Sequence, residues 1–199
     1  RAAGQALASP AGVPALSLSN LWHIICIYKN VSKNHVVRFN LSVNDATRKN
    51  GQGVFMITNT RAKTDIYNNT IVATNDGRNL VYTFGGKCMN ISFTNNIFYG
   101  NAIIKPAGDG LEGCTFENNI LANGAAAPSA SGLTVKNNKT ADPKFKNASA
   151  TDYKNRAKMI EAFTPQNKMT GASTISNNGG KDINGTSIGS SAFYGAVKY

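Results

Sequence analysis

Between residues 28 and 49 the chain gathers Lys29, Lys33, His35, Arg38, Asp45, Arg48 and Lys49, its densest set of side chains able to hold an anion and move a proton. An Arg fork binds a carboxylate through two parallel hydrogen bonds, and a Lys gives up its proton more readily when other cations crowd it. Such a set suits removal of a proton beside a carboxylate, where cations stabilise the charge that develops. In a uronate sugar that proton is on C5 and the leaving oxygen on C4, so the reaction is a β-elimination. A Lys or Arg of this set is the candidate base and Arg38 a candidate carboxylate partner, with His35, Arg48 and Lys49 as candidate substrate-binding groups. Ca²⁺ could do the same neutralising work, and Asp45 with Asp65 is the pair of hard oxygen donors best placed to hold it.

Each residue also has a plainer use. A lysine beside a corner Asn is commonly a solvated loop residue, and Lys136 has a similar Val-Lys-Asn setting without any claim to catalysis. Alternation through Val36-Val-Arg-Phe-Asn40 points Arg38 out from a strand, and Asp45 after Asn44 suits a turn. The 10 acidic residues are scattered, which leaves room for one calcium site and not several. A glycoside hydrolase would need Asp45 and a second carboxylate about 5 to 10 Å apart. His23 and His35 lie in unrelated contexts that suit core or strand-end positions. Trp22 and the tyrosines at 28, 67, 82 and 99 could stack on sugars or fill a core. Cys26, Cys88 and Cys114 read as buried packing, with a Cys88 to Cys114 bridge as the alternative, and their spacing fits no metal site.

The elements that must position these groups are announced by a repeated phrase: Ile66-Tyr-Asn-Asn-Thr-Ile71, Phe93-Thr-Asn-Asn-Ile-Phe98, Phe116-Glu-Asn-Asn-Ile-Leu121 and Val135-Lys-Asn-Asn-Lys139. Its second Asn falls at Asn69, Asn96, Asn119 and Asn138, in steps of 27, 23 and 19 residues, in or near the range of stacked repeats. β-branched and aromatic residues on both sides of a polar pair predict two short strands meeting at a sharp corner. Asn suits the corner because it tolerates left-handed backbone angles. Stacked about 4.8 Å apart in parallel coils, copies of one Asn can bond to each other as an internal ladder. A variable step excludes helical repeats and fits a coil with constant strands and variable loops. Further strands are expected at Val54–Ile57, Leu80–Tyr82 and Ala102–Lys105, giving three per turn.

These residues resemble the right-handed parallel β-helix proteins of the pectate-lyase-like superfamily over roughly residues 24 to 195. His35-Val-Val-Arg-Phe-Asn-Leu-Ser-Val-Asn-Asp45 is similar to a phrase of secreted bacterial β-helix proteins, and Ala141-Asp-Pro-Lys-Phe145 with Asp152-Tyr153 is similar to their closing segment. Phe163-Thr-Pro165 and Ile188 to Ala196 are looser echoes of the usual tail. The resemblance implies an all-β solenoid of about five to six coils with an irregular C-terminal tail, acting on acidic polysaccharide as a lyase or a fragment of one. Tyr28-Lys-Asn30 is similar to the Phe-Lys-Asn phrase that carries the base in one pectate lyase family, which implies that role for Lys29. The polygalacturonase signatures Asn-Thr-Asp, Asp-Asp and Gly-His-Gly do not occur. A non-catalytic carbohydrate-binding or cell-surface β-helix is the alternative, followed by a glycoside hydrolase.

A net charge of +11 predicts attraction to polyanions. The cations are dispersed and no nucleic-acid motif appears, so acidic polysaccharide is the expected partner and nucleic acid is not. No stretch is apolar enough to span a membrane, and the expected product is a secreted or cell-surface monomer. One domain is expected: residues 1–20 as an extension or incomplete first coil, 21–145 as coils, and 146–199 as a closing segment packed on them. A start at Arg1 rather than Met is that of a processed chain or of a fragment, and in the second case further coils precede it.

Overall fold

The structure, a computed structural model, describes residues 16–18, 25–28, 34–45, 54–61, 63–74, 79–84, 87–100, 103–104 and 111–199. Short strands follow one another in a fixed order of three sheets. The order begins with β1 (Leu16–Leu18) in sheet A, β2 (Ile25–Tyr28) in sheet B and β3 (His35–Arg38) in sheet C. It repeats as β4 (Leu41–Val43), β5 (Phe55–Thr58) and β6 (Thr64–Tyr67), then as β7 (Thr70–Val72), β8 (Asn79–Phe84) and β9 (Ile91–Thr94). After β10 (Ile97–Tyr99), β11 (Ile103–Ile104) and β12 (Cys114–Glu117), the chain places β13 (Ile120–Ala122) in sheet A, β14 (Leu133–Lys136) in sheet C and β15 (Lys139–Thr140) in sheet A. Every strand pairing is parallel, so each strand lies on its counterpart from the preceding turn, and the fold is an all-β parallel solenoid. The strands expected from sequence overlap β5, β8 and β11.

The Asn pairs make the corner between sheets C and A, and the two members of each pair do different work. The first, at Asn68, Asn95, Asn118 and Asn137, takes φ of 51°, 56°, 51° and 55°, a left-handed turn that a short polar side chain tolerates best. The second points inward. The backbone N–H and Nδ2 of Asn69 both donate to Asn96 Oδ1, at 3.0 and 2.9 Å, and those of Asn96 donate to Asn119 Oδ1 at 2.9 and 3.0 Å. Asn119 repeats the fork onto Asn138 at 2.9 and 3.0 Å. A further rung lies below, where Asn40 donates to Asn69 Oδ1 at 3.0 and 2.8 Å, with Phe39 rather than Asn in the left-handed position at φ 54°.

The coil interior is filled by Ile57, Ile66, Phe93, Phe98 and Phe116 among others, with Phe93 and Phe116 ring centroids 5.8 Å apart and Phe98 and Phe116 5.3 Å apart. Cys88 and Cys114 are buried free thiols within it, as expected for packing rather than bridging.

Outside sheet A a second apolar layer forms. Leu41, Val43 and Val72 pack against Met159, Phe163 and Phe193 of the C-terminal segment. That segment, expected to be irregular, also holds a short helix, α1 (Arg156–Ala162), capped by Asn155 Oδ1 accepting from the Lys158 N–H at 3.1 Å. The outer Asn of successive corners fastens the segment down. Asn68 Nδ2 donates to the Phe193 carbonyl at 2.6 Å, Asn95 exchanges two bonds with the Ser173 backbone at 2.7 and 2.8 Å, and Asn118 Nδ2 donates to Ser173 Oγ at 2.8 Å.

Replacing Asn96 or Asn119 by Ala leaves buried donors and a carbonyl unpaired, and should lower stability in a denaturant titration by about 1 to 3 kcal/mol each. An unchanged midpoint would show that the ladder does not hold the stack together. Gly100→Ala should be more damaging than either, because the added Cβ would sit 1.8 Å from the Ala73 carbonyl oxygen at a φ of 131°.

Candidate functional site

Strand register decides which side chains can meet on the outer face of sheet C. Val36, Asp65, Ser92, Thr115 and Thr134 form one outward column and Arg38, Tyr67, Thr94, Glu117 and Lys136 the other. The intervening columns point inward, one running His35, Thr64, Ile91, Cys114 and Leu133. His35 therefore does not join Arg38: three positions apart on one strand, they face opposite sides of the sheet. Its half-buried position pushes the imidazole pKa below 6.5 by desolvation.

Arg38 is placed on the outer face as sequence alternation predicts, but it is roofed. Its Nη1 donates to Tyr67 Oη at 3.4 Å, and a Cβ added at Gly179 would come within 2.4 Å of the guanidinium. Tyr67 donates its hydroxyl to the Asn177 carbonyl, and burial, with smaller opposing effects from Arg38, raises its pKa. The C-terminal segment thus crosses the face above Arg38 and Tyr67. Tyr99, another candidate sugar platform, is turned into the outer core against Phe145 at 5.1 Å. Lys29, Arg48, Lys49 and Trp22 lie outside the described residues.

The two aspartates are not brought together. Asp65 stands on sheet C, where Ser92 Oγ donates to its Oδ1 at 2.9 Å and Lys63 pairs with Oδ2 at 3.1 Å. Asp45 lies beyond the far end of β4 in sheet A, fully buried, accepting from Ser42 Oγ at 2.7 Å. The Asn corner and a whole strand separate them. Among the described residues no group of three or more His, Cys, Asp or Glu could hold a metal ion. The pair does not fit Ca²⁺, whose site needs six or more converging oxygens.

What the face does carry is exposed ion pairs, Lys136 with Glu117 at 3.0 Å and, beside the start of β6, Lys63 with Asp65; a further exposed pair, Lys87 with Glu112 at 3.5 Å, lies in the connections that precede β9 and β12. Each lysine is at least half exposed. Sequence reading missed the Lys136–Glu117 pair because it lies in register, which sets residues 19 apart in the chain side by side on one face. No family model matches the chain, and neither a curated protein nor a solved structure matches it. Among the described residues no helix is long and apolar enough to cross a membrane.

The depressed His35 pKa makes a signed prediction. The unfolded chain binds the His proton near pH 6.5 and the folded chain only below that, so this contribution to stability is intact above 6.5 and is lost as pH falls through the folded value. An NMR titration should place the His35 midpoint below 6.5, and His35→Gln should flatten the acid limb of the stability profile. A midpoint at or above 6.5 would contradict the inward placement.

Proposed function

We propose that the chain is a right-handed parallel β-helix of the pectate-lyase-like kind, secreted or displayed at a cell surface, that binds an acidic, uronate-containing polysaccharide along the outer face of sheet C. Right-handed crossover is the hand that parallel strands adopt almost without exception. The observation that carries the binding reading is the contrast between two faces. The outer face of sheet A is apolar and already covered, while that of sheet C is largely polar and, away from the roofed Arg38 and Tyr67, carries Lys136 and the neighbouring Lys63 in exposed ion pairs. Exposed pairs of this kind contribute little stability, so a polyanion can exchange its own carboxylates for theirs. The overall charge of +11 draws such a polymer in.

The chemistry proposed at this face is β-elimination. Lys29 would take the C5 proton, and Arg38 would bind the carboxylate with support from Arg48 and Lys49. Ca²⁺ has no part in it through Asp45 and Asp65. The roof over Arg38 favours a second reading, binding without cleavage, because an occupied guanidinium cannot clamp a substrate until the segment at Asn177 to Gly179 moves aside.

A panel of pectate, alginate and glycosaminoglycans separates the readings. Salt-sensitive retention with an ultraviolet-absorbing unsaturated product is expected for the lyase, and retention without product for the binder. New reducing ends without that absorbance would mean hydrolysis, and no retention on any acidic polymer at low salt would overturn the proposal. Arg38→Ala and Lys29→Ala should each abolish cleavage, read as loss of the ultraviolet-absorbing product. Full activity in both variants would remove these residues from the site.

A further inference from the structure

The stack is left open at the end formed by β14 and β15, which are the terminal strands of sheets C and A. Three features of that end are incomplete in the same way. In the inward column of sheet C, Ile66, Phe93 and Phe116 are covered by the strand above them, whereas Val135 is 38% exposed, the one large apolar side chain among the described residues left so. Each lower rung of the ladder sends its backbone N–H and Nδ2 to an Asn oxygen above it, whereas Asn138 Nδ2 meets only the Phe116 carbonyl at 2.8 Å, and nothing among the described residues meets its backbone N–H. The outer Asn137 is exposed and has no counterpart of the staples made by Asn68, Asn95 and Asn118. A depression of about 490 Å³ lined by Leu121, Ala125, Val135, Asn137, Asn138 and Thr140 joins these features.

We propose that this end is a docking edge for an extended segment of another polypeptide, which adds a parallel strand, corner and strand on top of β14 and β15. What is missing specifies the occupant. An apolar β residue must lie over Val135, one side-chain amide oxygen must enter the Asn138 fork, and strand backbone must run along both edges. An Asn-containing strand and corner of the kind repeated four times below supplies all three at once. A sugar carboxylate would satisfy the fork and leave Val135 and both edges bare. Edge strands are commonly guarded by lysine, but here both lysines are turned away from the edge. Lys136 reaches back to Glu117 on the strand beneath, and Lys139 donates to the Thr170 carbonyl of the C-terminal segment.

The test uses the full chain and a labelled synthetic peptide copying residues 89–100, which spans β9, its corner and β10. Fluorescence anisotropy in high salt, where surface electrostatics are screened, should show saturable binding. Affinity should fall about tenfold or more for the peptide carrying Asn96→Leu, which removes the oxygen that fills the fork, and for the protein carrying Val135→Lys. The peptide comparison stands even if the protein variant does not fold. Absence of saturable binding, equal affinity for both peptides, or displacement of the peptide by uronate oligosaccharide would overturn the proposal. So would self-association of the chain alone that Val135→Lys dissolves, which would assign the edge to a second copy.

Discussion

The hydrogen-bonded fork between successive inner asparagines is the constraint on which the rest of the structure depends. Two donors of one residue converge on a single oxygen of its copy in the next turn, at 2.8 to 3.0 Å along the ladder from Asn40 to Asn138. A slip of one residue would turn the amide outward and the left-handed residue inward, so the ladder sets strand register as well as spacing. Because the inner Asn is fixed, its predecessor is forced out, and the same dipeptide that ties coil to coil also ties the coils to the C-terminal segment. The Phe39 corner shows what the outer position requires. A bulky residue in a left-handed conformation costs roughly 1 to 2 kcal/mol. Phe39 offsets it by stacking on the Phe193 ring at 6.1 Å, where Asn68 one turn above binds the Phe193 carbonyl. Ring and amide serve the same attachment.

That attachment determines which surfaces remain for function. Sheet A has apolar residues on both faces, so it must be covered on the outside, and the segment from 146 to 199 does this with its helix and its aromatic residues. Sheet C alternates apolar inward with polar outward columns and needs no cover. The segment nevertheless strays across its Arg38 edge, and so the same tail that completes the core also covers Arg38 and Tyr67 on the polar face.

Much of the fold was legible because its signals are local. Asn-Asn between β-formers reports a corner, and four copies report a stack. The Asn40 rung is hidden because Phe39 replaces the first Asn of the pair, although the apolar alternation before it and the spacing of 29 residues to Asn69 carry the signal. The two separate roles within each pair were equally hidden, since nothing in the letters distinguishes a left-handed Asn from a laddered one. The site was far less legible. Closeness in sequence between residues 29 and 49 suggested one cluster, but a solenoid distributes neighbouring residues over three sheets, and brings together residues a full turn apart. Thus His35 and Arg38 separate across one strand, while Glu117 and Lys136, 19 residues apart, meet side by side on adjacent strands.

The ladder also has a direction. Asn40 donates to Asn69, Asn69 to Asn96, Asn96 to Asn119 and Asn119 to Asn138, so the side-chain amides are aligned and each bond polarises the next. Among the described residues, donors are consequently left over at Asn138. A group that completes the β14–β15 end must bring an acceptor to the axis of the coil, which an Asn side chain held inside a strand corner does and a lysine-guarded edge or a bare carbonyl strand does not. The polarity that orders the coils therefore selects what can be added to them, by the same two-donor geometry and at the same height per turn.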